Sequence, residues 1–101
     1  MDEELAATIA GCTTAHRRLS ETLASVDADV ARRPSRLPDW TVGHVLTHLA
    51  RNADSHVRML QGALAGEAVE QYPGGYEQRS RDIDAGAGRD AADLRADVLA
   101  C

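Results

Sequence analysis

Apolar side chains recur at spacings of three and four along residues 3–26, which predicts an amphipathic helix. His16 stands at the one position where this stripe is interrupted, and the pattern suggests that it faces the protein interior. Cys12 lies on the stripe and is interpreted as a small core residue. The apolar positions of this first helix are Leu5, Ile9, Cys12, Leu19, Leu23 and Val26.

A second stripe predicts a longer helix that begins at the corner 39–41 and runs to about Ala65. The Asp or the Thr of that corner can cap the free backbone N–H groups. With about 100° of rotation per residue, the centre of the buried stripe falls near Leu49 and Leu60. The predicted buried positions are Val42, Val45, Leu46, Leu49, Ala53, Val57, Leu60 and Leu64.

Prolines and glycines divide the remainder of the chain. The pattern predicts a connector over 27–39, with at most a short helical turn around 29–33, and a loop over 66–76. It also predicts a short helix from 76 or 77 to about 85, and a last helix that Asp90 caps with Leu94 and Val98 facing inward. The last amphipathic pattern is still in progress at Cys101, which suggests that the natural domain continues.

Composition and charge narrow the class of protein. A chain of 101 residues has room for one domain, and eighteen alanines with three aromatic side chains favour helices over a β-sandwich. Eleven arginines and no lysines face sixteen acidic residues, so the net charge of −5 disfavours a nucleic-acid partner. The chain lacks a membrane-spanning run, a secretory signal and a disulfide framework. We therefore expect a reduced cytoplasmic protein without a membrane partner.

The histidines are the candidate chemical residues. His48, Asn52 and His56 form one polar flank of the second helix, placed where a facing helix would meet it, and helical bundles build metal sites at such places. Periodicity alone favours a hydrogen-bonded boundary role for His48. His44 and His48 have the spacing of a two-histidine zinc helix, but Val45 stands where the metalloprotease motif requires Glu, so protease function is excluded.

Two segments resemble a known family. Residues 37–54 read LPDWTVGHVLTHLARNAD and residues 72–86 read YPGGYEQRSRDIDAG. Both are similar to the N-terminal domain of the mycothiol-dependent maleylpyruvate isomerase family, within the wider group of DinB-like four-helix metal bundles. The resemblance implies an all-α, up-and-down DinB-like bundle, with residues 1–101 as its N-terminal part, one domain truncated before the last helix.

The resemblance also implies chemistry. It places the first ligand of a divalent metal, expected to be zinc, at His48, with a later Glu and a second His beyond Cys101. Arg79 matches a functionally important arginine, whose planar fork suits a small substrate with carboxylates. The metal would hold mycothiol as a thiolate, which assists cis–trans isomerisation of maleylpyruvate to fumarylpyruvate or a related thiol transfer.

Two points stay open at this stage. Asp39 stands where the family commonly has Gly, which moves the expected cap by a residue. Relatives that share this domain perform other thiol transfers, so the substrate does not follow from the resemblance. The alternative is a non-catalytic helical module that covers an exposed stripe by forming a homodimer or by docking a partner helix.

Overall fold

The computed structural model describes residues 2–100, and these residues form five α-helices. Within this range the extended structure is limited to one isolated antiparallel bridge, between Pro34 and Thr41. The all-α fold class expected from the sequence is therefore confirmed. In chain order the helices are α1 (Glu3–Leu23), α2 (Ala28–Arg32), α3 (Val42–Leu64), α4 (Gly75–Ala87) and α5 (Ala91–Leu99).

A tight loop fixes where α3 begins. The Ser35 N–H donates to the Trp40 carbonyl over 2.8 Å, which closes the loop onto itself. Thr41 is the N-cap, and its hydroxyl accepts from the His44 N–H, so the cap falls on the threonine of the corner. Asp39 has φ of 65°, in the left-handed region that favours glycine.

The core is small and lies where the C-terminal end of α1 meets α3 and α5. Its buried members are Leu23, Val26, Ala31, Leu46, Ala50, Ala91, Leu94 and Val98. The inward placement expected for Leu94 and Val98 is confirmed. This cluster holds α5 against the first half of α3. It therefore leaves a different side of α3 free for α4 to pack against.

The first helix departs from the sequence prediction. Leu23 is its buried residue and Leu19 packs against the core, both at the C-terminal end. Cys12 and His16 are exposed, so their predicted core and interior positions are wrong. The physical reason is that α1 makes few contacts with the other described helices, which also leaves its other apolar side chains, Leu5 and Ile9, about half exposed.

The buried face of α3 is rotated from the predicted stripe. Leu46 and Ala50 are buried as core residues, whereas Leu60 is 66% exposed and Leu49 is also exposed. The predicted centre of the stripe is therefore wrong for residues 2–100. The difference arises because α4 and α5 pack on a face rich in small side chains, which a hydrophobic pattern weights less than the leucines beside it.

The crossing of α3 and α4 is unusually close. A Cβ atom added at Gly43 would collide with the Ala87 carbonyl oxygen and would lie 3.3 Å from the Ala31 carbonyl oxygen. Thr47 lies one turn further along α3 and is fully buried. A Cβ atom added at Gly86 of α4 would lie 3.0 Å from the Thr47 hydroxyl. Glycine on each helix therefore lets the two backbones approach, which brings the next residue of α3, His48, near α4.

Ion pairs tie α5 to the same region. Asp97 of α5 accepts from Arg51 of α3 over 2.7 Å and from Arg89 over 2.8 Å. Arg89 also donates through Nε to the Gly86 carbonyl over 2.9 Å. One carboxylate therefore connects α3, the end of α4 and α5. Because Asp97 is largely buried, these contacts are stronger than exposed ion pairs on a protein surface.

The close crossing predicts a large effect of a single methyl group. Gly43→Ala should lower the free energy of unfolding by about 1–3 kcal/mol, because the added Cβ forces the backbones of α3 and α4 apart. Urea unfolding followed by circular dichroism measures this change. Gly11→Ala in the exposed part of α1 is the matched control, since nothing lies within 4 Å of the added Cβ.

That control should stabilise the protein by about 0.5–1 kcal/mol, through helix propensity alone. Equal effects of the two substitutions would contradict the close crossing of α3 and α4.

Candidate functional site

The candidate site lies between α3 and α4, where a histidine meets an arginine. Nη2 of Arg79 lies 3.1 Å from Nδ1 of His48. Because a guanidinium only donates, Nδ1 accepts this hydrogen bond. The two residues that the sequence analysis singled out, thirty-one positions apart in the chain, are therefore in direct contact. His48 is half-buried, so only part of it is in contact with bulk solvent.

Burial and a cationic neighbour favour the neutral form of His48. The Trp40 ring lies 5.5 Å from the His48 ring, centroid to centroid, at an angle of 48°. Burial, and secondly the positive charge of Arg79, lower the pKa of His48 from its ordinary value of 6.5. Both causes disfavour the imidazolium, so His48 is a neutral ring at neutral pH.

Tyr72 positions the arginine from the other side. The Arg79 guanidinium carbon lies 5.3 Å from the centroid of the Tyr72 ring, in a cation–π contact. The Tyr72 hydroxyl accepts from Nδ2 of Asn52 over 3.0 Å. The polar flank of α3 thus contacts the segment before α4 through Asn52 and α4 itself through His48. Sequence reasoning missed Tyr72, although it lies in the second segment that carries the family resemblance.

A cleft opens beside this pair. The free space in it is about 70 Å³, and its lining includes three arginines. This volume is well below the range of small-molecule sites, about 300–1,000 Å³. The cleft is therefore a small cationic recess rather than a preformed ligand pocket. The lining residues are Arg51, Arg58, Tyr72, Pro73, Arg79 and Asp82.

The neighbouring His44 has a structural role. Its Nδ1 accepts from the Thr41 N–H over 3.1 Å, which completes a capping box at the start of α3. Its Nε2 lies 3.2 Å from Oδ1 of Asp84 on α4, and its ring stacks on Trp40. Sequence reasoning missed this role, and the signal was its place three residues after a threonine N-cap. His56 is exposed and joins none of these contacts.

The fit of a metal ion to this site is partial. Within residues 2–100, no group of three or more His, Cys, Asp or Glu side chains could hold one. A neutral His48 suits a ligand, because coordination needs an unprotonated nitrogen. In the observed arrangement Arg79 occupies Nδ1, so the ring proton lies on Nε2. A metal at Nδ1 would displace Arg79 directly. A metal at Nε2 would leave the ring proton on Nδ1, which could then no longer accept from Arg79. Arg79 therefore has to leave in either case, and His48 fits as one ligand of a larger set.

Five described helices, of which α2, α4 and α5 pack against α3, and a histidine–arginine pair beside a cationic cleft define this chain as a helical domain with a candidate functional site. Comparison of the sequence with known families identifies it further. Residues 12–101 match the family described as Mycothiol maleylpyruvate isomerase N-terminal domain, and the chain belongs to that family. The match includes both segments that carry the resemblance.

Other comparisons add nothing to this assignment. No curated protein and no solved structure matches the chain. Of the helices described for residues 2–100, none has the length and apolar character needed to cross a membrane.

The lowered pKa of His48 predicts a pH dependence of stability. Between the pKa of the folded state and 6.5, the unfolded chain binds more protons at His48 than the folded protein does. The stabilising contribution is therefore fully present above pH 6.5 and is lost as the pH falls below it. Urea unfolding at pH 7.5 and 5.5 should show that the parent loses more stability than His48→Gln over this interval.

Other titrating groups are common to both proteins, so the difference between them isolates His48. If the two proteins lost the same stability between these pH values, the neutral state of His48 would not be favoured by folding.

Proposed function

We propose that this domain forms part of the active site of a mycothiol-dependent enzyme that isomerises maleylpyruvate or catalyses a related thiol transfer. Membership of the isomerase N-terminal domain family supports the link to a thiol cofactor. The observation that carries the proposal within the structure is the His48–Arg79 contact beside the cationic cleft. A cytoplasmic location, where thiols stay reduced, is part of the proposal.

In this proposal His48 contributes one nitrogen ligand to a divalent metal, expected to be zinc. When bound, the metal would supply the positive charge that keeps the mycothiol thiol deprotonated. The depressed pKa of His48 supports this role, since the ring does not need to lose a proton at neutral pH. Trp40, which packs against the ring, would restrict access of water from that side.

Arg79 would bind a carboxylate of the substrate. The Tyr72 ring supports the guanidinium face, and metal binding at His48 would release the N–H that now contacts Nδ1. A guanidinium has five N–H donors in a planar fork, so donors remain for a two-point contact with a carboxylate. The close approach of α3 and α4 would hold this carboxylate next to His48, which is the proximity that a bimolecular reaction needs.

Metal titration tests the role of His48. The chain should bind Zn²⁺ weakly, because residues 2–100 hold no complete ligand set, and His48→Ala should weaken that binding further. Arg79→Gln should strengthen it by up to about tenfold, since the metal no longer displaces a charge-assisted hydrogen bond from Nδ1. Isothermal titration calorimetry of dialysed protein measures all three affinities.

His56→Ala is the matched control, because His56 lies on the same flank of α3 but is exposed. The metal-ligand role would be refuted if His48→Ala bound Zn²⁺ as well as the parent, or if His56→Ala lost as much affinity.

A second candidate function is a non-catalytic module that forms a homodimer. Exposed apolar side chains on α1 and on the C-terminal half of α3 favour it, among them Leu64 at 90% exposed and Leu60 at 66%. Association of two copies through these side chains would remove apolar surface from water.

Sedimentation equilibrium tests this candidate. If the module dimerises through this face, the parent should be a dimer and the double substitution Leu60→Gln with Leu64→Gln should be a monomer with the same helix content. A monomeric parent at all concentrations tested would exclude the dimer.

A further inference from the structure

The Trp40 ring contacts two histidines that lie one turn apart on α3. It lies 6.1 Å from the His44 ring at an angle of 16°, and 5.5 Å from the His48 ring at an angle of 48°, centroid to centroid. Each histidine also contacts α4, His44 through Asp84 and His48 through Arg79. The five side chains therefore form a continuous series of contacts that begins and ends on α4.

Both ring nitrogens of His44 are engaged, which fixes the orientation of its ring. Nδ1 accepts from the Thr41 N–H over 3.1 Å. The ring proton is therefore on Nε2, which lies 3.2 Å from Oδ1 of Asp84 and donates to it. A turn of the imidazole about its last side-chain torsion would break both hydrogen bonds at once. Asp84 thus holds His44 in the position in which it stacks on Trp40.

The loop before α3 fixes the backbone of Trp40 but not its ring. The Trp40 carbonyl accepts from the N–H and from the hydroxyl of Ser35, and its N–H donates to the Leu37 carbonyl. The indole turns about two side-chain torsions, whose values depend on the groups that pack against it. The His44 ring, nearly parallel to the indole, is such a group. A change at His44 would therefore move the surface on which the His48 ring rests.

The contact between Asp84 and His44 contributes little to stability by itself. The Asp84 side chain is 70% exposed, and such a contact is screened by water and salt. The packing of α3 against α4 is already fixed by the close approach of Gly43 to the Ala87 carbonyl. The consequence of the Asp84 contact is therefore the orientation of the His44 ring rather than the packing of the two helices.

We propose that His44 and Asp84 are positioning residues for His48 and act through Trp40. Asp84 orients His44, His44 holds the indole of Trp40, and the indole keeps the His48 ring with Nδ1 toward Arg79. The importance of that orientation for chemistry rests on the proposed function. The series of contacts rests on the geometry of α3, α4 and the loop before α3.

Substitution of His44 separates positioning from capping. Gln three residues after a Thr N-cap is a standard capping box, so His44→Gln keeps the cap and removes the ring. Helix content and the urea midpoint should stay as in the parent. Trp40 is the one tryptophan of the chain, and its fluorescence maximum should shift to longer wavelength as water replaces the His44 ring. Nuclear Overhauser effects between the Trp40 and His48 rings at neutral pH should be lost.

Substitution of Asp84 tests the hydrogen bond. Asp84→Ala should give the same fluorescence shift and the same loss of Overhauser effects as His44→Gln, because Nε2 of His44 loses its acceptor. Asp84→Asn should restore the signals of the parent, since its amide oxygen accepts from the same N–H. Glu21→Ala, which removes an exposed carboxylate on α1, is the control and should change neither signal.

Three results would overturn the proposal. The first is that either His44→Gln or Asp84→Ala keeps the fluorescence maximum and the Overhauser effects of the parent. The second is that Asp84→Asn behaves as Asp84→Ala does, which would make the charge of Asp84 the cause. The third is that His44→Gln changes these signals only together with a loss of helix content, which would limit His44 to the helix cap.

All of these measurements use the 101-residue chain without metal or thiol. Failure here is therefore distinguishable from failure of the metal-ligand role of His48, which the Zn²⁺ titration tests.

Discussion

The site depends on one steric constraint, the absence of side chains where α3 crosses α4. Gly43 on α3 and Gly86 on α4 each leave room for backbone or side-chain atoms of the opposite helix, and no larger residue fits at Gly43 without moving the Ala87 carbonyl. Because interiors are packed like crystals, such a contact fixes the distance between the helices. The distance in turn places the His48 ring within hydrogen-bond reach of Arg79.

This constraint explains why an arginine next to a histidine is tolerated in a half-buried seam. The guanidinium donates to Nδ1 of a ring that stays neutral, and its face rests on Tyr72. Repulsion between two cations is thereby avoided by keeping one partner uncharged, with burial as the main cause. The same positive charge then faces the cleft, where it is available to an anion.

The sequence predicts the boundaries of the helices better than it predicts which of their faces are buried. Capping and glycine signals place α3 between the corner 39–41 and about Ala65, close to the observed Val42–Leu64. The periodicity does not identify the buried face, because Gly43 and Ala50 carry little hydrophobic weight although they make the closest contacts. His48 and Arg79 came from a resemblance in the sequence, whereas the role of Tyr72 depends on a loop whose path local pattern does not determine.

The carboxylate of Asp97 has a consequence beyond the stability of α5. It is the common acceptor for Arg51, which lines the cleft, and for Arg89, which is anchored at the end of α4. A shift of α5 along its axis would therefore displace Arg51 in the lining of the cleft, through Asp97. A contact made on α5 would in this way reach the cleft through Asp97 and Arg51.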